Sequence, residues 1–373
     1  MVTDALEILN LAAAFSVKLV ARFGRDWEAG TVISGVTQRE LARLARVSHT
    51  TVSLALRGHT SIPEPTRARI VELARQHRYQ PDPMLAALNA YRVRRAPSHF
   101  QGTIVWLTAF STSSAWREMV QLEGYFLGAS AQANRLGYKL EEFWIAAPGL
   151  SARRATNVLE ARGVRGIIVA PLPVAHGNLA LDWSRFSAVA LGYTLTLPQL
   201  HLVMNHQFRN MKHLVHHLAQ RGYRRIGFAM AATTDERVDH NYLGGFWVAQ
   251  QELPSVQRLR PLLASDFREQ AFLQWFRRTK PDAVITAASA VKDVIAWLGH
   301  EGIKVPKDIG IAVASVPFRD TSISGIDENV SAVGAMAVDT LVGMIHRGEH
   351  GIPSNPWRIL AEGTWFEGKT VRS

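Results

Sequence analysis

Thr37 to Leu56, TQRELARLARVSHTTVSLAL, decides how the chain is read. Thr37 and Glu40 make a Thr-x-x-Glu capping box, which satisfies N–H groups left free at a helix start. Leu41, Leu44 and Ala45 follow at helical spacing, and Ala42 is small enough to let a second helix approach closely. Arg46 and Val47 make the turn. Ser48 is the next N-cap, and Val52, Ala55 and Leu56 form the buried face of a second helix, Ser48–Leu56. The faces left to solvent carry His49, Thr50, Thr51, Ser53 and Arg57. Short hydrogen-bonding side chains beside a cation suit base edges and phosphates in a major groove. Two readings fit: a helix-turn-helix with Ser48–Leu56 as recognition helix, and an ordinary helical hairpin with a polar outer face.

The downstream residues favour the first reading. Ile62-Pro63-Glu64-Pro65-Thr66 starts a third helix, Arg67 to Arg78, with Ile70, Leu73 and Ala74 inward. Then comes Tyr79-Gln80-Pro81-Asp82-Pro83-Met84-Leu85-Ala86-Ala87-Leu88. The run from Thr37 to Leu88 resembles the headpiece and hinge of the lactose-repressor (LacI/GalR) family of bacterial transcription regulators. The resemblance rests on V-S-x-x-T-V-S at Val47–Ser53, T-R-x-R-I at Thr66–Ile70 and Y-x-P at Tyr79–Pro81, in register without a gap.

That resemblance implies roles. His49 and Thr50 stand where family members make most base contacts. Thr37, Ser48, Thr51, Ser53, Arg57 and Thr66 stand where phosphate and backbone contacts are made. Pro83–Asn89 matches a helix that folds against its twin on an operator; Ala87 and Leu88 go to the DNA, Leu88 as a minor-groove wedge. The bland alternative for Leu88 is a core leucine of a permanent helix. Tyr91-Arg92-Val93-Arg94-Arg95-Ala96-Pro97-Ser98 argues against it, being a basic linker ended by proline. Three departures stand out. Arg46 occupies a turn position usually held by Gly, where a Cβ is costly. Leu54 replaces a frequent base-reading Arg and can touch only methyl groups. Asp82 replaces a frequent Asn.

Charge is distributed accordingly. The chain has 373 residues and a formal net charge of +11. Residues 37–100 hold eleven Lys/Arg against four Asp/Glu, more than half the excess on about a sixth of the chain. Cysteine is absent, so disulfides, thiolate zinc sites and cysteine nucleophiles are excluded. The apolar stretch Ile8–Val20 is broken by Asn10 and Lys18 and is too short to span a membrane. Asp4 and Glu7 stand where a signal peptide would be basic. The expected location is cytoplasmic, with the nucleoid. Residues 1–36 precede the family's usual start. They are read as a mobile arm or an upstream start codon, or else as an accessory helix striped by Leu6, Leu9, Ala13, Val17 and Val20.

Beyond residue 100, short apolar runs suit parallel strands buried on both faces: Thr103–Leu107, Gly166–Ala170, Ala188–Leu191, Ile226–Met230, Ala283–Thr286 and Gly310–Ala314. Helical runs Glu118–Leu136, Gln207–Arg221 and Val291–Glu301 alternate with them. This is a doubly wound α/β pattern, whose ligands bind at the carboxyl ends of the strands. H-L-x-x-x-G-Y-R-R-I at His217–Ile226, Gly245-Phe246 and G-I-K-V-P-K-D-I at Gly302–Ile309 resemble the effector domain of the same family, itself similar to periplasmic sugar-binding proteins. The expected fold is a small all-α helix-turn-helix headpiece followed by an α/β two-lobed periplasmic-binding-protein-like domain of doubly wound parallel sheets. The boundaries expected are 1–36 extension, 37–82 headpiece, 83–99 hinge and linker, and 100–373 effector and dimerisation domain. Its N-lobe takes about 100–204 and 327–352, its C-lobe 205–326 and 353–373.

No nucleotide loop, zinc-protease motif or nucleophile elbow is present, and no cofactor, metal or enzymatic activity is expected. His213, His216 and His217 share a helix face at metal-compatible spacing, but no carboxylate completes a site, so a surface or half-buried histidine face is the reading. Glu141-Glu142 and Asp235-Glu236 read as solvated loop charges. The ten Trp read mostly as core or interface.

The function expected is a sequence-specific transcriptional regulator, a repressor, binding double-stranded operator DNA as a homodimer under a small-molecule effector. The alternative is a small-molecule (sugar-like) binding protein with a vestigial headpiece. Sugar-binding members hold hydroxyls with an Arg, an Asn-Asp pair and an Asp; the matching positions here are Tyr242, Ala288-Ser289 and Pro317. The cleft is expected to offer Phe110, Tyr193, Asn205, Tyr242, Ser289, Pro317 and Phe318, suiting a flatter, less hydroxylated ligand, because each hydroxyl buried unpaired costs about 1–3 kcal/mol.

Overall fold

A computed structural model describes residues 36–56, 61–77, 79, 100–316, 320 and 322–372. The expectations for residues 1–35, Arg57, the hinge and linker with Ala87 and Leu88, and Pro317 and Phe318 lie outside the described residues. The chain divides into two compact units, residues 1–90 and 91–373.

The first unit has helices α1 (Gln38–Ala45), α2 (His49–Leu56) and α3 (Glu64–Gln76). The Thr37 N–H donates to the Glu40 carboxylate at 2.6 Å, and the Glu40 N–H to the Thr37 hydroxyl at 3.3 Å. The capping box therefore forms as read. Those bonds hold the Glu40 carboxyl below its usual range. Arg46 ends α1 in the left-handed conformation, φ 50° and ψ 45°. Ser48 Oγ accepts from the Thr51 N–H at 3.0 Å, so α2 begins at His49 with Ser48 as its cap. Pro63 precedes α3 and Pro65 sits in its first turn, where the missing N–H leaves no bond unmade. That is why α3 starts at Glu64, ahead of the expected Arg67. Arg69 donates to the Ala45 carbonyl at 3.0 Å, satisfying an acceptor at the exposed end of α1.

Leu41, Ala42, Ala45, Val52, Ala55, Ile70 and Ala74 make the core of this unit. Leu44 was expected on the inward stripe but is 49% exposed. Two partner helices cover only a narrow face of α1, and Leu41 and Ala45 fill it.

In the second unit, β1 (Gly102–Thr108), β2 (Tyr138–Trp144), β3 (Val164–Val169), β4 (Gly177–Asn178), β5 (Ser187–Leu191), β6 (Leu195–Leu197) and β7 (His201–Asn205) come first. Next are β8 (Ile226–Ala231), β9 (Leu262–Ala264), β10 (Ala283–Thr286), β11 (Gly310–Val313) and β12 (Gly325–Asp327), then β13 (Arg358–Ala361) and β14 (Thr364–Phe366). The helices are α4 (Val120–Arg135), α5 (Ala152–Ala161), α6 (Gln207–Gln220), α7 (Ala232–Glu236), α8 (Asn241–Gln251), α9 (Glu269–Thr279), α10 (Val291–His300) and α11 (Val330–Arg347).

One sheet runs β13-β7-β5-β3-β1-β2, all parallel. The other runs β14-β12-β11-β10-β8-β9, parallel except for β14. Each sheet carries an apolar cluster on both faces, as its near-continuous hydrophobic strands require. All six strand runs read from the sequence are present.

Two expectations are corrected. Glu141 and Glu142 lie on β2, an edge strand whose mixed sequence hides it from an apolar-run reading; Arg117 pairs with Glu142 and Lys139 with Glu141. Residues 358–361 belong to the first lobe, not the second. There β13 pairs with β7 from Leu202 to Asn205, and Ile359 and Ala361 pack on the first lobe's core.

Helices α4 and α11 cross in close contact in that lobe. A Cβ on Gly128 would strike the Ser331 carbonyl oxygen, and one on Gly334 the Tyr125 carbonyl oxygen. The chain passes between the lobes at 205–207, 327–330 and 361–364. These passages are tied together. The His206 N–H donates to Ala361 O at 2.7 Å and the Gly363 N–H to Asn210 Oδ1 at 2.9 Å. The Asn205 amide donates to the Glu328 carbonyl, and β12 pairs with β14.

Candidate nucleic-acid interface and ligand cleft

The inward face of α2 is fixed by Val52 and Ala55, which are buried, so the remaining positions are presented outward. Ser48, His49 and Thr50 at its start are exposed; Thr51, Ser53 and Leu54 are half-buried. Ser48 and Thr51 share a hydroxyl–hydroxyl contact of 2.8 Å and Thr37 is held by Glu40; Thr37 and Ser48 also cap their helices. Thr66 is half-buried in the first turn of α3. Arg39, Arg43 and Arg46 form an exposed cationic stripe at i, i+4, i+7 along α1 and its turn. The sequence reading passed over Arg39 and Arg43, although their spacing was visible. Two other arginines of this unit are paired, Arg67 with Glu64 and Arg75 with Glu72.

The expected cleft residues fare differently. Phe110 and Tyr242 are buried, each within the core of its own lobe. Asn205 is fully buried and its amide is committed: Oδ1 accepts from the Tyr125 hydroxyl at 2.7 Å while Nδ2 donates to Glu328 O. It joins chain passages. Ser289 is exposed in the turn before α10. Tyr193 is half-buried beside Asp239 and Asn241 of the other lobe; burial, then Asp239, raises its phenol pKa.

Two charged residues in this region had not been singled out. Glu328 is 4% exposed, and Tyr242 Oη donates to its carboxylate at 3.4 Å. Burial pushes its pKa up to about 7, and the Ser315 and Tyr242 hydroxyls only partly oppose this. Arg237 follows α7 in the second lobe. Its Nη1 donates to the Leu172 and Pro173 carbonyls of the first lobe, each at 2.6 Å, and Nη2 approaches Met119 Sδ at 3.8 Å. Residue types alone gave no signal for either, since both gain meaning from partners far along the chain.

Asp235 is not a solvated loop charge. It is fully buried, accepts from the Leu243 N–H at 3.0 Å and holds His240 Nδ1 at 2.9 Å, fixing the start of α8. The three histidines of α6 part company. His213 is exposed, His216 faces Glu252 at 2.7 Å, and His217 stacks on Trp365 and accepts from Arg221. Among the described residues, no helix is long and apolar enough to cross a membrane.

Known proteins share this arrangement. Residues 37–82 match the family described as bacterial regulatory proteins, lacI family, and residues 215–370 match the periplasmic binding protein-like domain. The headpiece thus matches the lacI family. It is 23% identical over 338 residues to the HTH-type transcriptional repressor PurR of Glaesserella parasuis serovar 5 (strain SH0165), spanning 86% of this chain and 93% of that repressor. Over 67 residues it is 43% identical to the probable HTH-type transcriptional repressor ExuR of Bacillus subtilis (strain 168), 18% of this chain and 19% of that one. The lac repressor dimer bound to operator and the anti-inducer ONPF shares the fold: TM-score 0.53, 16% identity, 91% of this chain and all of that one. So does a lacI-family regulator from Rhizobium etli, with TM-score 0.58, 13% identity and coverage of 73% and 99%. The protein is thus a transcriptional regulator, with a lacI-type helix-turn-helix DNA-binding headpiece and a periplasmic-binding-protein-like domain. PurR and the lac repressor are repressors by name.

Proposed function

We propose that this regulator is a cytoplasmic repressor that binds a pseudo-palindromic operator as a homodimer and answers to a small molecule held between its lobes. The carrying observation is α2: its apolar face is locked into the headpiece core while His49 and Thr50 stand exposed at its first turn. One helix of eight residues reads few base pairs, which favours two headpieces on two half-sites. His49 and Thr50 read bases. Ser48, Thr51, Ser53 and Thr66 meet the backbone, and Leu54 touches a methyl group. Thr37 and the Arg39, Arg43 and Arg46 stripe add phosphate contacts. Leu88, with Ala87, is the wedge between half-sites and Arg57 a phosphate contact, on the resemblance of the sequence from Thr37 to Leu88. The relatives crystallised with an operator, or as the CelR–cellobiose complex, support both the DNA and the effector halves of this reading.

Selection of DNA sites from a random pool tests it. The selected sites are expected to carry inverted half-sites. His49→Ala and Thr50→Ala are expected to change the preferred bases, at about 1–3 kcal/mol per well-made contact. Asymmetric single sites, or preferences unchanged in both variants, would refute it. Affinity is also expected to fall steeply with salt, each neutralised phosphate adding roughly 0.9 to the log–log slope.

A further inference from the structure

Arg237 is the residue whose setting calls for an explanation. It lies between the carboxyl ends of strands from both lobes. On its own side it follows β8 and α7; opposite are Met119, between β1 and α4, and Leu172 and Pro173, just after β3. In doubly wound sheets that is where ligands sit. Arg237 is half-buried, and burial alone lowers its pKa. Among the described residues no carboxylate pairs with it. The nearby Asp235 is spent on His240 and the start of α8. A half-buried cation with only neutral acceptors bears an uncompensated desolvation cost, whereas an anion would offset it with charge-assisted bonds.

Nearby on the second lobe's side, burial raises the Glu328 pKa to about 7, which weakens its negative charge near neutrality. The Thr286 and Ser315 hydroxyls are buried at the carboxyl ends of β10 and β11, and Thr286 Oγ1 has no hydrogen-bond partner. The position that holds a cation for sugar hydroxyls in relatives is Tyr242 here, buried and bonded to Glu328.

We infer that the effector is a small organic anion, whose carboxylate or phosphate is gripped by Arg237 in place of the Leu172 and Pro173 carbonyls. This rests on the reading of the cleft as the effector site. The exchange has a mechanical side. Without the anion, Arg237 bridges the lobes by backbone bonds; with it, the anion stands between guanidinium and first lobe, so ligation and lobe spacing change together.

The test uses the full-length protein and matched pairs: benzoate with benzamide, succinate with succinamide, and phenyl phosphate with phenol. Melting temperature and calorimetric affinity are read for the parent, Arg237→Gln and Arg237→Lys. The expected result is a dose-dependent rise in melting temperature for at least one anion, with affinity at least ten-fold above its neutral partner. Arg237→Gln should lose that preference and Arg237→Lys keep part of it. Arg237→Lys also guards against a variant that merely misfolds, since it retains the charge. Equal binding within every pair, undiminished anion binding by Arg237→Gln, or no response to any compound would overturn the inference. Operator affinity measured with the same compounds separates the two ideas. A neutral compound that shifts DNA binding leaves the effector cleft standing and removes the anion. An anion that binds through Arg237 without touching DNA binding removes the effector role and keeps the site.

Discussion

The headpiece and the lobe junction use the same kinds of bond over different distances along the chain. In the headpiece, Thr37 meets Glu40 and Ser48 meets Thr51, each three residues apart. Its longer ties, Arg69 to Ala45 and Gln38 to Tyr79, span 24 and 41 residues. At the junction, Tyr125 meets Asn205 across 80 residues, Tyr242 meets Glu328 across 86, and Asn205 meets Glu328 across 123. The headpiece also rests on one small apolar cluster, whereas the second unit has four. Local bonding and a thin core make a module that one side chain can undo. Distributed bonding makes a junction whose state depends on buried charge more than on any single contact.

The sharpest way to break that contrast is Ile70→Ala. Ile70 is fully buried where α3 meets α1 and α2. Its truncation is expected to cost about 2–5 kcal/mol, enough to unfold so small a core and abolish operator binding. Melting of the second unit should stay unchanged; if it falls in step, the two units are not independent.

Next in size is Glu328→Gln. An acid whose pKa is raised by folding, here from 4.5 to about 7, contributes its stabilisation fully below the unfolded value and loses it as pH rises through the folded one. Stability of the second unit should therefore decline between about pH 5 and 8 in the parent and stay level in the variant. At pH 8 the variant should be more stable, by on the order of 3 kcal/mol. Denaturation midpoints at four pH values read this directly, and parallel profiles would remove Glu328 as the source. The smallest effect expected is Arg46→Gly, a gain of about 1 kcal/mol in headpiece stability from relieving the left-handed turn. That gain should leave the preferred operator unaltered, though loss of the arginine should lower affinity for all duplexes alike.

The same difference in range explains what the sequence made legible. The capping box, the strained turn at Arg46, the Ser48 cap and the strand runs all depend on neighbours within a few positions, and all were readable. Leu44 misled because a helical stripe says which residues align, not how wide a face the partners cover. Asp235 looked like a loop charge because its burial comes from α8, packed on it after the turn. Asn205 suited a ligand contact by type and place, yet both of its amide groups are engaged by residues no local pattern connects to it. Arg237 and Glu328 escaped notice for that reason. The division at residue 352 failed because β13 finds its partner, β7, more than a hundred residues upstream.

The three tied chain passages carry a consequence for motion. A single tether between two bodies permits swivel, bend and twist; two free tethers still permit shear. Here the first passage is bonded to the second through Asn205 and Glu328, and to the third through His206–Ala361 and Asn210–Gly363, while β12–β14 pairing joins the second to the third. A closed triangle of struts resists splaying and sliding, and leaves rotation about the line of passages as the soft coordinate. Arg237 bridges the lobes apart from these passages, through the Leu172 and Pro173 carbonyls, so on the inference above a change in its reach would bear on that rotation.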